Sequence, residues 1–119
     1  MFAVLILGGC ADAMDPGSAK AQAHPGAALY SGYCASCHNP GLNGAPQIAD
    51  ELAWKPRIAK GRDLLLHSTI NGIGAMPARG LCRSCSDEEL GEVVDYMILR
   101  AEEAADVAAD ADAPAEPSV

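Results

Sequence analysis

The stretch Cys34-Ala35-Ser36-Cys37-His38 decides how this 119-residue chain is interpreted. Two cysteines that are separated by two residues and followed at once by a histidine form the pattern of covalent c-type haem attachment. The two thiols add to the vinyl groups of a haem, and the adjacent histidine offers an imidazole nitrogen to the iron. We therefore predict one haem c, covalently bound through Cys34 and Cys37, with His38 as a ligand of its iron.

The composition suits a small domain that is built around a large cofactor. The chain has one Trp, one Phe and three Tyr, a thin aromatic supply that a buried haem would supplement as an apolar core piece. Residues 24–100 carry seven Lys or Arg against eight Asp or Glu, whereas residues 101–119 carry six acids and no base. Because no basic stripe is present, we expect no nucleic-acid partner.

The chain begins with an apolar run, residues 1–9, that is too short to span a bilayer as a helix. It resembles the apolar part of a secretory signal without the usual basic region, and it predicts export to a bacterial periplasm. Residues 7–10 resemble a lipobox, in which Cys10 becomes lipid-modified and N-terminal and attaches the protein to a membrane. Cleavage after Ala-Gln-Ala at 21–23 is the competing processing site, and an unprocessed N-terminus is a third alternative.

The segments on either side of the motif are expected to deliver and fix the histidine. Residues 11–24 have the composition of a linker, and a helix is predicted over 25–33, leading directly into Cys34. Residues 39–46 are rich in turn-forming Asn, Pro and Gly, which predicts a loop that wraps the haem edge. A ligating histidine normally donates its second ring nitrogen to a carbonyl or carboxylate, and we predict the carbonyl of Pro46 as the partner of His38.

The segment after this loop contributes two candidate haem contacts. A short helix is expected over 48–52. Trp54 is the largest apolar side chain of the protein, and it either packs against the haem or belongs to the ordinary core. Arg57 is a candidate partner for a haem propionate, because a guanidinium matches a carboxylate in a bidentate manner; a plain surface arginine is the alternative.

A glycine-rich loop, residues 72–80, carries Met76 at its centre and follows a helix predicted over 61–71. Glycines let the backbone come close to a ligand plane. A thioether on iron opposite a histidine is the Met/His pairing that raises the reduction potential of a haem. We predict Met76 as the sixth ligand, in preference to His67, which lies inside the predicted helix, and Met97, which fits a helix face.

A second cysteine pair, Cys82 and Cys85, has three interpretations. Together with Cys34 and Cys37 it would supply the four thiolates of a zinc site. It would alternatively be a dithiol redox motif or a small structural disulfide. Export to an oxidising compartment favours the disulfide.

The last helix has the clearest local signals in the chain. Ser86 with Glu89 three residues later forms a capping box. Apolar residues then recur at helical spacing: Leu90, Val93, Val94, Met97 and Ile98. We expect the helix to end near Ala105 and the acidic, alanine-rich remainder to be disordered. The predicted organisation is a leader and linker over 1–23, a folded domain over 24–100 and a tail over 101–119.

Taken together, these motifs resemble the class I cytochromes c, and within them the small bacterial cytochrome c5 group. The resemblance runs from residue 30 to residue 97 and rests on these matches: Cys34-x-x-Cys37-His38, Gly44-Ala45-Pro46, Trp54-x-Pro56-Arg57, Gly61, Gly72, Met76-Pro77-x-Arg79-Gly80, Cys82-x-x-Cys85, Ser86-Asp87-Glu88-Glu89 and Tyr96-Met97. It implies an all-α fold, with three to four short helices wrapped around one covalently bound haem. It also implies His38 and Met76 as axial ligands and a disulfide between Cys82 and Cys85.

The resemblance implies an electron carrier in a bacterial respiratory chain and not an enzyme, because iron with both axial positions filled cannot readily bind oxygen or peroxide. The implied partners are redox proteins, such as a membrane reductase complex and a terminal oxidase or reductase, met through a small, transient interface. The main alternative is a haem peroxidase or gas-sensing domain with an open sixth site. A zinc module is a further alternative, but it leaves His38 and the Met76 loop unexplained.

Overall fold

The structure, a computed structural model, describes residues 16–112 of the chain. Its α-helices are α1 (Ala19–Gln22), α2 (Gly26–Leu29), α3 (Ala35–His38), α4 (Glu51–Ile58), α5 (Arg62–Asn71) and α6 (Asp87–Ala111). A π-helical turn, Tyr30–Cys34, joins α2 to α3, and 3-10 turns lie at Leu42–Gly44 and Ala78–Leu81. No strand forms within residues 16–112, so the predicted all-α fold is confirmed. None of the helices in this range is long and apolar enough to cross a bilayer.

The crossing of α2 over α6 organises the core. Gly26 is buried in this crossing, and a Cβ on it would lie only 2.6 Å from the carbonyl carbon of Glu92. Only a glycine therefore allows the two backbones to approach so closely. Beside it, the rings of Tyr30 and Tyr96 pack with their centroids 5.2 Å apart, and Val93 is buried against them. This contact fixes the helix that carries the cysteine motif against the longest helix of the molecule.

The helix that leads into the motif does not stop before it. The structure continues the helix predicted over 25–33 through the π turn and α3, so that it ends at His38. In the π turn the backbone N–H of Ala35 donates to the carbonyl of Tyr30, five residues back. Such turns insert one residue into a helix and are frequent at functional sites. The cysteine motif therefore lies on a helix and not in the loop that follows one.

The short helix expected over 48–52 is wrong in its position. Ala49 has a left-handed backbone (φ 62°), which prevents a helix from running through it. Helix α4 begins after Asp50, whose side chain accepts a hydrogen bond of 3.1 Å from the N–H of Ala53. Trp54 consequently lies on α4 and is buried.

Helix α6 begins as predicted and ends later than predicted. The hydroxyl of Ser86 accepts from the N–H of Glu89 at 3.1 Å, and the Glu89 carboxylate accepts from the N–H of Ser86 at 2.7 Å, which completes the capping box. The expected end near Ala105 is wrong, because the helix continues to Ala111. Alanine has the highest helix propensity of all residues, so this alanine-rich stretch is helical and not disordered. Residues 113–119 lie outside the described residues.

The linker expected over 11–24 contains a short ordered segment. Ala19–Gln22 form one helical turn, α1, which Ser18 caps by accepting a hydrogen bond from the N–H of Ala21 at 3.1 Å. Ala21 is fully buried in the same core cluster as Ala101 of α6. The predicted leader and Cys10 lie outside the described residues.

Candidate haem site

The cysteine motif presents its three chemical groups on one side of the helix. Cys34, Cys37 and His38 are spaced by three and four residues, and side chains at these spacings are neighbours on a helical surface. The thiols of Cys34 and Cys37 are both free. Cys34 and His38 are buried, whereas Cys37 is partly exposed. Two thiols and an imidazole thus face the same region.

Two hydrogen bonds hold His38 against the loop that follows it. The Nδ1 atom of His38 lies 2.8 Å from the carbonyl oxygen of Pro46, the partner that the sequence predicted. Because a carbonyl can only accept, Nδ1 carries the proton and Nε2 keeps its lone pair for a ligand. The N–H of Ile48 also donates to the carbonyl of His38 at 2.8 Å. The orientation and tautomer of the imidazole are therefore set by the backbone of this loop.

Trp54 lies behind the histidine, within the main core cluster. Its ring centroid is 6.3 Å from that of His38, and its indole N–H donates to the carbonyl of Gln47 at 2.9 Å. Trp54 thereby braces the same loop that orients His38. Arg57 lies three residues further along α4 and donates from Nη1 to the carbonyl of Ala53 at 2.5 Å. Its pairing with a haem propionate remains a prediction.

The Met76 loop is a tight turn closed by two backbone hydrogen bonds. Ile73 donates to the carbonyl of Met76 at 3.1 Å, and Met76 donates to the carbonyl of Ile73 at 2.9 Å. Gly72 precedes the turn with φ +83°, and a Cβ on it would lie 2.8 Å from the Met76 carbonyl oxygen. The loop therefore requires glycine at position 72 both for its backbone angle and for this close approach.

The side chain of Met76 ends beside the cysteine motif, as the distances from Gly80 to both show. A Cβ built on Gly80 would lie 3.8 Å from the Sγ atom of Cys34 and 3.8 Å from the Cε atom of Met76. The two side chains therefore end within twice that distance of each other. The fold thus brings together two motifs that lie far apart in the sequence, and Gly80 lies beside both.

The second cysteine pair forms a disulfide with a Cα–Cα distance of 5.5 Å. Both cysteines are buried with Leu90 at the start of α6. Arg79 connects this cluster to the Met76 loop, because its guanidinium donates to the Asp87 carboxylate at 2.9 Å and to the carbonyl of Cys85. Sulfurs that are joined to each other are not available as zinc thiolates, and residues 16–112 contain no other group of three His, Cys, Asp or Glu side chains placed to hold a metal.

Burial raises the pKa values of two groups around the motif. Burial, and secondarily the neighbouring Cys37, raises the pKa of the Cys34 thiol to about 11. Burial, followed by the nearby Tyr96, raises the pKa of the Tyr30 hydroxyl well above 10. The Tyr30 hydroxyl donates to the side-chain oxygen of Asn39, which anchors the start of the loop after His38.

Several residues that shape the site had no signal in the sequence strong enough to single them out. Asn39 was part of the turn predicted over 39–46 and Gln47 follows it directly, but their partners Tyr30 and Trp54 are set by the tertiary fold. Gly80 was part of a glycine-rich loop, and only the fold reveals that it lies beside both Cys34 and Met76. The donor set itself, two thiols, an imidazole with one nitrogen already occupied and a thioether, fits a covalently attached haem.

Comparisons with known proteins identify a family model and several relatives of this chain. Residues 21–97 match the family model described as cytochrome c oxidase, cbb3-type, subunit III. Cytochrome c-555 of Chlorobaculum tepidum is 39% identical over 100 residues, which cover 81% of this chain and 86% of that protein. Cytochrome c5 of Ectopseudomonas mendocina is 44% identical over 71 residues, covering 58% and 82%. Cytochrome c5 of Azotobacter vinelandii is 43% identical over 77 residues, covering 63% and 93%.

Two solved structures resemble the fold as well. One is a cytochrome c in an electron transfer complex with nitrite reductase, with a TM-score of 0.63, 39% identity and coverage of 65% of this chain and 94% of that one. The other is a mono-haem ferrocytochrome c from Shewanella putrefaciens, with a TM-score of 0.56, 39% identity and coverage of 60% and 89%.

The helical fold, the site and these relatives define a small class I cytochrome c. Its task is electron transfer, with one covalently attached haem c as the cofactor. Within this class, the chain belongs to the cytochrome c5 family. The resemblance that the sequence motifs indicated is thereby confirmed.

Proposed function

We propose that Cys34 and Cys37 bind the haem through thioethers, that His38 and Met76 are the axial ligands of its iron, and that the protein carries single electrons without catalysing a reaction. The observation that carries this proposal is the convergence of Cys34 Sγ and Met76 Cε on Gly80. The other candidates do not share it, because neither Met97 nor His67 has an atom within 4 Å of the Cβ position of Gly80.

The imidazole of His38 is held in one tautomer and one orientation, as a permanent iron ligand requires. The Pro46 carbonyl holds the Nδ1 proton, so the imidazole offers Nε2 in one tautomer only. A hydrogen bond of this kind also makes the ligating nitrogen more basic. Because the partner is a backbone carbonyl within a loop that Trp54 braces, the ring does not depend on another mobile side chain for its orientation.

Met76 accounts for the absence of catalysis. The haem, when bound, supplies a one-electron couple whose potential is raised by a thioether ligand. Met76 reaches the site on a turn closed by two backbone hydrogen bonds and anchored through Arg79 to the disulfide cluster. A ligand held in this way keeps small molecules from the sixth position, which disfavours the peroxidase and gas-sensor alternatives.

The surface around the motif supports redox proteins as partners. Residues 31–49 and 64–78 contain no Asp, Glu, Lys or Arg, and the exposed apolar side chains of Leu42, Ile73 and Leu81 lie in or next to these segments. We propose that this uncharged surface contacts the electron donor, such as a membrane reductase complex, and then the electron acceptor, such as a terminal oxidase or reductase. A small, neutral interface allows the rapid release that successive partners require.

We further propose that the protein works in the bacterial periplasm, as part of a respiratory chain. The apolar leader at residues 1–9 supports export, and a disulfide is typical of an oxidising compartment. Lipid modification of Cys10 would keep the protein at a membrane, close to membrane-bound partners.

The test is the absorption spectrum of the purified protein, oxidised and reduced, for the wild type and for Met76→Ala. We expect a reduced α-band of haem c type at one haem per chain, and a weak near-infrared band of methionine–ferric ligation that Met76→Ala abolishes. Met97→Leu is the matched control, because Met97 is buried in the core and should leave this band unchanged. A near-infrared band that survives in Met76→Ala would overturn the assignment and reopen the sixth position.

A further inference from the structure

The segment of residues 17–23, which we call the N-terminal arm, is built into the core of the domain. Ala21 is fully buried, in the core cluster that also contains Tyr96 and Ala101 of α6. The hydroxyl of Ser18 donates to the carboxylate of Glu103, on the outer half of α6. The arm therefore contacts α6 both through an apolar residue and through a hydrogen bond.

Gly17 shows that the arm is fitted closely to α6. A Cβ at this position would lie 2.7 Å from Nε of Arg100 and 2.9 Å from the Cβ of Ala21. Its φ of +78° lies in the region that favours glycine. The side chain of Gln22 closes the arm on itself by donating to the carbonyl of Gly17 at 3.0 Å. Glycine at position 17 and alanine at position 21 are therefore explained by packing.

We propose that the leader is removed by a cut that lies N-terminal to Gly17, so that the N-terminal arm remains in the mature protein. This inference rests on the export proposed above. The step is the hydrolysis of one peptide bond by a leader peptidase of the exporting cell. Water supplies the hydroxyl of the new carboxyl end on the leader and the hydrogen of the new amino end on the mature chain. Of the two processing sites that the sequence offers, only the one before Cys10 satisfies this condition.

A cut after Ala23 would remove contacts that the folded domain uses. It would uncover Arg100 and Ala101, which are 5% and 3% exposed. It would also leave a charged amino group on His24, whose N–H now donates to the carbonyl of Ala21 at 3.1 Å. This positive charge would lie at the N-terminal end of the helix that runs through α2 to His38, where the helix dipole disfavours it. Packing against α6 thus accounts for the small residue at position 21 without any role in cleavage.

The experiment is to express the full chain in a bacterium that attaches haem c, and to determine the first residue of the haem-containing product by N-terminal sequencing and intact mass. A first residue between positions 10 and 17, with or without a lipid on it, supports the proposal. A first residue at any position from 18 to 24 overturns it. An uncut chain that stays in the cytoplasm also overturns the proposal, because export itself has then failed. Cell fractionation distinguishes this result from cleavage before His24.

A second measurement tests the arm in the mature protein. Gly17→Ala, made in the full chain, should lower the Tm of the purified protein by about 5 °C or more, because it adds a clash with Arg100 to the strain of a positive φ. Gly61→Ala is the matched reference, since Gly61 also has a positive φ but no atom within 4 Å of its Cβ position. A Tm that Gly17→Ala leaves unchanged, while Gly61→Ala lowers it, would mean that the arm has been removed and would overturn the proposal.

Discussion

The two Cys-x-x-Cys sequences of this protein share their spacing and differ in their chemistry. Cys34 and Cys37 belong to a helix that continues to His38, and both thiols are free. Cys82 and Cys85 lie in a turn that follows Leu81, a residue with a left-handed backbone (φ 69°), and they form a disulfide. We propose that the first pair attaches a cofactor, whereas the second pair closes the chain on itself.

The difference shows that spacing alone does not decide what a cysteine pair does. The first pair is followed by His38, whose second nitrogen is already occupied by Pro46. The second pair is followed by Ser86, which caps α6, so that pair ends a loop instead of preparing a ligand. The next residue and the local backbone separate the two outcomes.

The largest expected effect concerns the first pair. Cys34→Ser with Cys37→Ser should abolish covalent haem attachment, because no thioether can form. Cys82→Ser with Cys85→Ser is the matched control, and its haem should remain attached. Haem that stays with the chain after extraction with acidified acetone measures the difference. Equal retention in the two double variants would contradict the roles assigned to the pairs.

The Met76 loop, residues 72–80, should be sensitive to substitution at one glycine and tolerant at another. Gly72→Ala adds strain at a positive φ and a clash with the Met76 carbonyl, so it should cost about 3 kcal/mol of stability and weaken the near-infrared band. Gly74→Ala adds strain only, since no atom lies within 4 Å of its Cβ position, and should cost about 1 kcal/mol. Spectra and guanidinium unfolding of both variants test this. Equal effects would mean that the close approach at Gly72 is unimportant.

Removal of the disulfide should affect stability more than ligation. Cys82→Ala with Cys85→Ala opens a loop of sequence separation 3, for which chain entropy predicts a loss of about 2 kcal/mol. Covalent haem should be retained, because the first pair is unchanged. Guanidinium unfolding of the oxidised protein measures the loss. A variant that folds as stably as the wild type would show that the turn is held by its other contacts, including those of Arg79.

The smallest expected effect concerns the surroundings of the first pair and depends on pH. Burial raises the pKa of Tyr30 above its ordinary value of 10.0, so the unfolded chain loses this proton before the folded protein does. The contribution of Tyr30 to stability is therefore complete below about pH 10 and declines as the pH rises further. Tyr30→Phe should flatten this decline and should cost about 1 kcal/mol at neutral pH, because the bond to Asn39 is lost.

Unfolding free energies between about pH 8 and pH 12 measure the effect of Tyr30. Tyr33→Phe is the control, because Tyr33 is 42% exposed and its substitution should change neither the slope nor the neutral value. If the unfolding free energy of Tyr30→Phe fell as steeply as that of the wild type above pH 10, another group would be responsible for the loss of stability.

The features predicted from the sequence are those whose physical causes lie within a few neighbouring residues. Ser86 and Glu89 bond to each other across three positions, and the α6 cap therefore follows from the sequence. The Pro46 carbonyl lies eight residues from His38, within one loop that turn residues mark clearly. The closed turn around Met76 likewise follows from its glycines and is local.

The features that the sequence did not predict depend on contacts between distant segments. The N-terminal arm has the composition of a linker, and only Arg100 and Glu103 of α6 give it an ordered position. Gly26 has no local signal, since its role is defined by Glu92 on the helix that crosses it. The π turn has no distinctive sequence pattern, and the late end of α6 reflects alanine propensity outweighing the acidic composition.

The length of α6 gives the molecule an electric dipole moment. Its first turns lie at the disulfide cluster beside the Met76 loop, and its 25 residues extend about 37 Å. Negative charge collects at the far end, on Glu102, Glu103, Asp106 and Asp110 of the outer half and on Asp112, which follows the helix. In the field of a negatively charged partner such a molecule turns this acidic end away, so that the end at the disulfide cluster and the Met76 loop points forward. The acidic outer half of α6 can thus orient the protein as it approaches a partner, without contacting that partner.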